Sequence, residues 1–272
     1  MKKIFLFLAI LVVTSSFSSK QKVWIAIGDS ITYLNDHINE TGNRVTKGYM
    51  TCVAEKLPDI KYINQGHNGW TAGGIAKEIE NLGLTDADIY PVFLGTNDWW
   101  AGRPVGTIDD YKNNTGNDTF FGSYRIINKL RSLSKSARII LVAPMQRVNF
   151  VYVNDKKNNA WGSYKDKNGQ SLEQFANAVV SIAQLEKLEV IDLYHNKQLK
   201  IESLVHFERM KDPETEKYKN YKYPEFANVP FNPETDEYPY PAEAINLTYD
   251  GLHPSDKGNA IIADILTKML KK

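Results

Sequence analysis

Short apolar runs alternate with longer two-sided runs along this 272-residue chain. The segments VWIAIG (23–28), KYINQG (61–66), DIYPVFLG (88–95), RIILVAP (138–144) and EVIDLY (189–194) read as strands. Several are apolar almost throughout, as in a parallel sheet covered on both faces. Helical stretches are expected between them, near 46–57, 72–81, 119–134 and 171–187. The last helix is the clearest, because Ile261, Ile262, Ile265, Leu266, Met269 and Leu270 recur four residues apart as one stripe. Pro254 precedes it and suits a helix entrance. The alternation predicts an α/β sandwich with a mostly parallel, five-stranded sheet. Pro91 conflicts locally, since proline cannot donate to a ladder. A bulge there, or a strand that begins at Val92, is expected.

Residues 196–248 break the alternation. Between Tyr218 and Pro241, tyrosines and phenylalanines interleave with prolines. The stretch is too aromatic to read as disordered. It is expected to be an ordered insertion on the body that shapes substrate choice rather than chemistry.

The opening residues follow another logic. Lys2 and Lys3 lead an apolar run from Ile4 to Val13, and small polar residues follow. That is the order of a secretory signal peptide over residues 1–19, with the domain proper at 20–272. The run is too short to span a bilayer comfortably. The protein is therefore expected to be exported, periplasmic or secreted, with no stable membrane insertion after cleavage. Basic and acidic residues number 33 and 32. That balance offers no electrostatic reason to expect nucleic acid as partner. The single cysteine, Cys52, forms no internal disulfide and reads as a small core residue on a helix face.

In parallel sheets, sites form outside the carboxyl ends of the strands. The first strand ends at Gly28-Asp29-Ser30 and the second runs into NQGHNGWTAGG (64–74). The third ends in GTND (95–98), and YDGLHPSDKGNA (249–260) precedes the last helix. Acyl transfer needs what these blocks offer. A serine hydroxyl such as Ser30 is a weak nucleophile and needs a base. His253 can accept its proton, and Asp250 can hold the imidazole and stabilise its charge. The oxyanion needs preorganised donors. The Ser30 and Gly69 backbone N–H groups and the Asn97 amide can supply them, with Gly66 the alternative glycine.

As a set, these blocks resemble those of the SGNH hydrolases, also called GDSL esterases or lipases. They match as GDS with Ser30, N-x-G-x-x-G with Gly69, G-x-N-D with Asn97, and D-x-x-H with Asp250 and His253. The resemblance spans residues 23–271. It implies a flavodoxin-like three-layer α/β/α sandwich, ester hydrolysis and no cofactor. It also implies Ser30 as nucleophile, His253 as base, Asp250 as its partner, and Gly69 and Asn97 in the oxyanion hole. Two rivals fit less well. A nucleophile elbow reads G-x-S-x-G, and here the fifth position is Thr32. Metal hydrolysis lacks an H-E-x-x-H among the five histidines.

For the substrate, His67, Trp70, Asp98, Trp99, Trp100 and Arg147 are candidate contacts, because they flank the oxyanion blocks or follow strand ends. Aromatic faces at an exported hydrolase suit sugar rings, so a carbohydrate O-acetyl ester is the expected substrate. A lipid or aryl esterase, or a thioesterase, is the enzymatic alternative. A non-catalytic carbohydrate-binding protein on the same fold is the alternative of another class.

Overall fold

A computed structural model describes residues 21–113 and 115–272. The expected signal peptide, 1–19, lies outside them. Five parallel strands form the central sheet: β1 (Lys22–Gly28), β2 (Ile60–Gly66), β3 (Ile89–Phe93), β4 (Arg138–Ala143) and, after a separate hairpin, β7 (Glu189–Asp192). Their order is β2-β1-β3-β4-β7, the flavodoxin-like arrangement. The hairpin is β5 (Phe150–Tyr152) with β6 (Asp155–Ala160).

Side chains alternate along each strand, and each face collects its own helices. Trp24, Ala26, Ile89, Phe93, Ile140 and Val142 face one way. They pack against α2 (Tyr49–Lys56) and the last helix, α9 (Asp256–Leu270). Ile25, Ile27, Tyr90, Val92, Ile139 and Leu141 face the other way. They meet α3 (Ala72–Glu78), α6 (Phe120–Ser123), α7 (Ile126–Leu133) and α8 (Leu172–Glu186). Two short helices, α4 (Thr96–Trp100) and α5 (Ile108–Asn113), lie between β3 and α6. A four-residue turn of helix, α1 (Ser30–Tyr33), leaves β1 directly. The result is the expected three-layer α/β/α sandwich.

The β1–α2–β2 connection crosses one face, and β2–α3–β3 crosses the other. The strand order therefore reverses between β1 and β3, which opens a crevice at their carboxyl ends. Ser30 and Asn97 follow these two strands immediately.

Three local expectations change. Pro91 lies inside β3, paired with Ile140, and the strand begins at Ile89. The β1–β3 register holds its offset from Trp24↔Ile89 to Ile27↔Val92 and skips only Tyr90 and Pro91, where a donor is missing. The helix expected over 119–134 is split into α6 and α7. Cys52 is half-buried at the margin of the core rather than inside it.

The 196–248 insertion is ordered and carries a hairpin, β8 (Glu208–Lys211) with β9 (Tyr218–Tyr221). It contributes Leu199, Leu204, Met210, Phe226, Tyr240 and Leu247 to the α9-side core. A segment that supplies so much core is more than a surface wall. Phe226→Ala should therefore cost about 3–5 kcal/mol in denaturant unfolding, as for a fully buried aromatic. Leu185→Ala, on an exposed position, should change stability by less than about 0.5 kcal/mol.

Candidate active site

Ser30 is the first residue of α1, so its backbone N–H has no partner within the helix. Asp29 caps the turn: its Oδ1 accepts the Ile31 N–H at 3.0 Å. Burial pushes the Asp29 carboxyl up to about 6, against the lowering effect of that bond. His253 Nε2 stands 2.8 Å from Ser30 Oγ, and His253 Nδ1 stands 2.7 Å from Asp250 Oδ2. With the ring proton on Nδ1, Asp250 accepts it and Nε2 is free to accept from the serine hydroxyl. The other Asp250 oxygen accepts the Leu252 and His253 N–H groups at 3.1 and 2.8 Å. The carboxylate is thus held at both oxygens, and it is fully buried. Phe150 meets the imidazole edge-on at 5.5 Å, and Tyr249 stacks on it at 5.9 Å.

The loop after β2 is tied to the first block. The His67 N–H donates to Gly28 O at 2.9 Å, and Asn64 Nδ2 donates to Thr32 O at 3.0 Å. Gly69 has φ +75°, a left-handed conformation that favours glycine. A Cβ there would meet no atom within 4 Å, so its surroundings are open. The Gly66 N–H already donates to Asn64 Oδ1 at 2.8 Å. Between the two glycines, Gly69 is the one with a free donor. Asn97 Nδ2 donates to Trp70 O at 3.0 Å, which aims its amide at the same loop and leaves a second N–H available. Ser30, His253, Asp250, Gly69 and Asn97 thus share one sheet edge and could bind an acyl carbon with its oxyanion.

The substrate candidates divide. His67 and Trp70 stack at 4.5 Å, and both are partly exposed beside Gly69. Desolvation lowers the His67 imidazole from its ordinary value. Trp100 is partly exposed and meets Trp161 edge-on at 4.7 Å, with Lys167 over both rings. Asp98, Trp99 and Arg147 are instead buried, which removes them from contact with substrate here. Asp98 Oδ2 accepts the Ala72 N–H at 2.8 Å. Its Oδ1 faces Arg103 Nε at 3.2 Å, as a charge pair off the hydrogen-bonding line. Burial pushes the Asp98 carboxyl up to about 6. Trp99 is core, with Nε1 donating to Gln170 O at 2.8 Å. The Arg147 guanidinium lies 5.1 Å from the rings of Trp99 and Trp100 and donates to Trp161 O. Burial brings it down to about 10, and Asp250 nearby works against that.

Phe150 and Tyr249 were not among the sequence candidates. Tyr249 adjoins Asp250 in sequence, but Phe150 opens a hairpin strand too short to show a period. Among the described residues, no group of three or more His, Cys, Asp or Glu is placed to hold a metal ion.

A family model described as the GDSL-like lipase/acylhydrolase family matches residues 26–261. Among solved structures, a possible lipase from Chitinophaga pinensis is 62% identical, with a TM-score of 0.91, over 92% of this chain and 98% of that one. A Lactobacillus plantarum protein shares the fold at 19% identity and TM-score 0.64, over 93% and 98% of the two chains. An acetylxylan esterase from Geobacillus stearothermophilus does so at 18% and 0.52, over 91% and 93%. A search of curated proteins found no match.

The Asp98 carboxylate joins α4 to the start of α3. Asp98→Ala would strand Arg103 and the Ala72 N–H, and should cost about 3 kcal/mol or more in chemical denaturation. Asp98→Asn, which can still accept from Ala72, should cost less.

Proposed function

The chain belongs to the GDSL-like lipase/acylhydrolase family and so to enzymes of ester hydrolysis, and from that premise we propose a Ser-His-Asp mechanism acting on O-acetyl groups of carbohydrate. One observation carries the mechanism: the hydrogen-bonded chain from Asp250 through His253 to Ser30, 2.7 and 2.8 Å long at its two links.

The steps follow from that chain. Ser30 Oγ attacks the ester carbonyl as its proton passes to His253 Nε2. The imidazolium is stabilised by Asp250, already fixed by two backbone N–H groups. The oxyanion is met by the Ser30 and Gly69 N–H groups and Asn97 Nδ2. As the tetrahedral intermediate collapses, the C–O bond to the alcohol breaks and His253 returns the proton to the leaving oxygen. Water, deprotonated by His253, then attacks the acyl-enzyme, and the acid leaves with Ser30 restored.

Support for a sugar ester comes from partly exposed aromatic faces beside the oxyanion donors, at His67, Trp70 and Trp100. The acetylxylan esterase lends a precedent for the fold alone. A longer acyl ester is the second reading, favoured by the name of the Chitinophaga pinensis protein, a possible lipase. Export accords with a polymeric substrate, and the charge and apolar order of residues 1–19 supports it.

Ser30→Ala should lower kcat on p-nitrophenyl acetate by about 10⁴ or more, since triad members act as a unit. Activity within tenfold of wild type would remove Ser30 from the mechanism. Asn97→Ala should cost about 10²–10³, the loss of one oxyanion donor. Acetate release from a panel of acetylated glycans, beside a chain-length series of p-nitrophenyl esters, decides the substrate. The sugar reading expects glycan deacetylation and a preference for acetyl. A preference for long acyl chains with no glycan turnover would replace it.

A further inference from the structure

The following rests on the reading of Asp250 and His253 as triad members. Their loop is bonded from outside to the segment that runs into β5. The Val148 N–H donates to Gly251 O at 3.0 Å, and the Val151 N–H donates to Asp250 O at 3.2 Å. Gly251 has φ +89°, and a Cβ there would lie 1.8 Å from the Asn149 carbonyl oxygen. That carbonyl is therefore the surface on which the triad loop turns.

The carbonyl belongs to a closed polar ring. It accepts from the Tyr240 hydroxyl. Tyr240 Oη in turn lies 3.0 Å from Glu208 Oε1. Asn149 Nδ2 donates to Glu208 Oε2 at 2.8 Å. Asn149 Oδ1 accepts from the Gly162 N–H and the Tyr164 hydroxyl, so the amide can point only one way. Glu208 and Tyr240 are buried, and both come from the 196–248 insertion. We propose that Glu208 is a positioning residue for the triad: through Asn149 and Tyr240 it fixes where Gly251 turns, and so where Asp250 and His253 stand.

Only one arrangement of protons keeps every bond of the ring. Tyr240 has a single hydroxyl hydrogen and two neighbours. The Asn149 carbonyl can only accept, so it takes that hydrogen. Glu208 Oε1 then faces the tyrosine oxygen and must supply a hydrogen of its own. Glu208 is thus the neutral acid, donating to Tyr240 and accepting from Asn149. Its surroundings favour this state. Tyr240 and Tyr164 lie beside it, and Tyr221 is opposite it across the β8–β9 hairpin. Lys165 and Glu208 line one cleft, and Arg147 lies nearer Asp250, Tyr240 and Tyr164. Among the described residues no cation pairs with Glu208, and burial pushes its carboxyl up to about 8.

The test compares wild type, Glu208→Gln and Glu208→Leu by kcat on p-nitrophenyl acetate and by melting temperature from pH 5 to 10. Glutamine keeps both bonds without ionising, so near pH 7 its kcat should stay within about twofold of wild type. Above about 8 the wild-type acid ionises, the Tyr240 hydroxyl turns its single hydrogen to the carboxylate, its bond to the Asn149 carbonyl is lost and kcat falls. The Gln/wild-type ratio should then rise severalfold. Leucine, which lacks both bonds, should lose about tenfold or more in kcat, as reacting groups drift from alignment.

Stability gives a second readout. From the ordinary carboxylate range up to about 8, the folded protein holds a proton the unfolded chain has released, so wild-type stability falls as pH rises. The melting-temperature advantage of Glu208→Gln over wild type should grow across that window and level off above it. A flat difference, with kcat profiles that superimpose, overturns the proposal. If the leucine variant does not fold, the glutamine comparison still decides. Ser30→Ala run alongside separates the two ideas. An active Ser30→Ala enzyme overturns the triad and this proposal with it. An inactive one, beside unchanged Glu208 variants, overturns this proposal alone.

Discussion

The 2.8 Å contact from Ser30 Oγ to His253 Nε2 joins residues 223 apart in sequence. Little else in the molecule is arranged independently of that link. One partner leaves the first strand of the sheet, and the other sits just before the last helix. Holding both to hydrogen-bond precision requires α9 to be docked firmly on the β1–β2 side. Asp256, at the start of α9, accepts the Thr46 N–H and hydroxyl. Lys56 at the end of α2 pairs with Asp264 on α9. At the far end, Arg138 on β4 donates to the carbonyls of Met269 and Leu270. Arg44 reaches the carbonyls of Tyr240 and Tyr249, which ties the insertion and the triad loop to the stretch before α2. The parallel sheet is the rigid reference, and α9 is registered against it along its length.

The same crevice concentrates buried charge. Asp29, Asp98 and Asp250 are all buried around it, and each is handled differently. Asp29 caps α1, Asp98 faces Arg103 and braces α3, and Asp250 is bonded to His253 and two backbone N–H groups. Raised carboxyl values at Asp29 and Asp98 reflect desolvation that these partners only partly offset. Such groups are tolerated because every alternative leaves a helix start or a loop unanchored.

The sheet was legible because strands buried on both faces are written as unbroken apolar runs. That Ser30, Asn97, Asp250 and His253 would meet at one sheet edge was legible because each follows or precedes an element whose period is clear. Failures fell where no period exists. Residues 96–100 form a helix of only five residues. Its turn leaves Asn97 partly exposed and sends Asp98 and Trp99 inward, and so short a run carries no readable stripe. Arg147 lies in irregular chain after β4, and only the fold reveals that Trp99 and Trp100 cover it. The insertion behaves likewise. Its aromatics and prolines announced order, but its partners are distant in sequence, as with Glu208 and Asn149, 59 residues apart. No local pattern encodes such a pairing.

Active-site labelling tests the central claim most directly. A fluorophosphonate probe reacts with an activated serine by displacing fluoride and forming a stable phosphonyl ester. Intact-mass measurement should show one adduct per chain, and peptide mapping should place it on Ser30. His253→Ala, which removes the base, should label far more slowly. An adduct on another residue, or none on a protein that hydrolyses p-nitrophenyl acetate, would contradict the account.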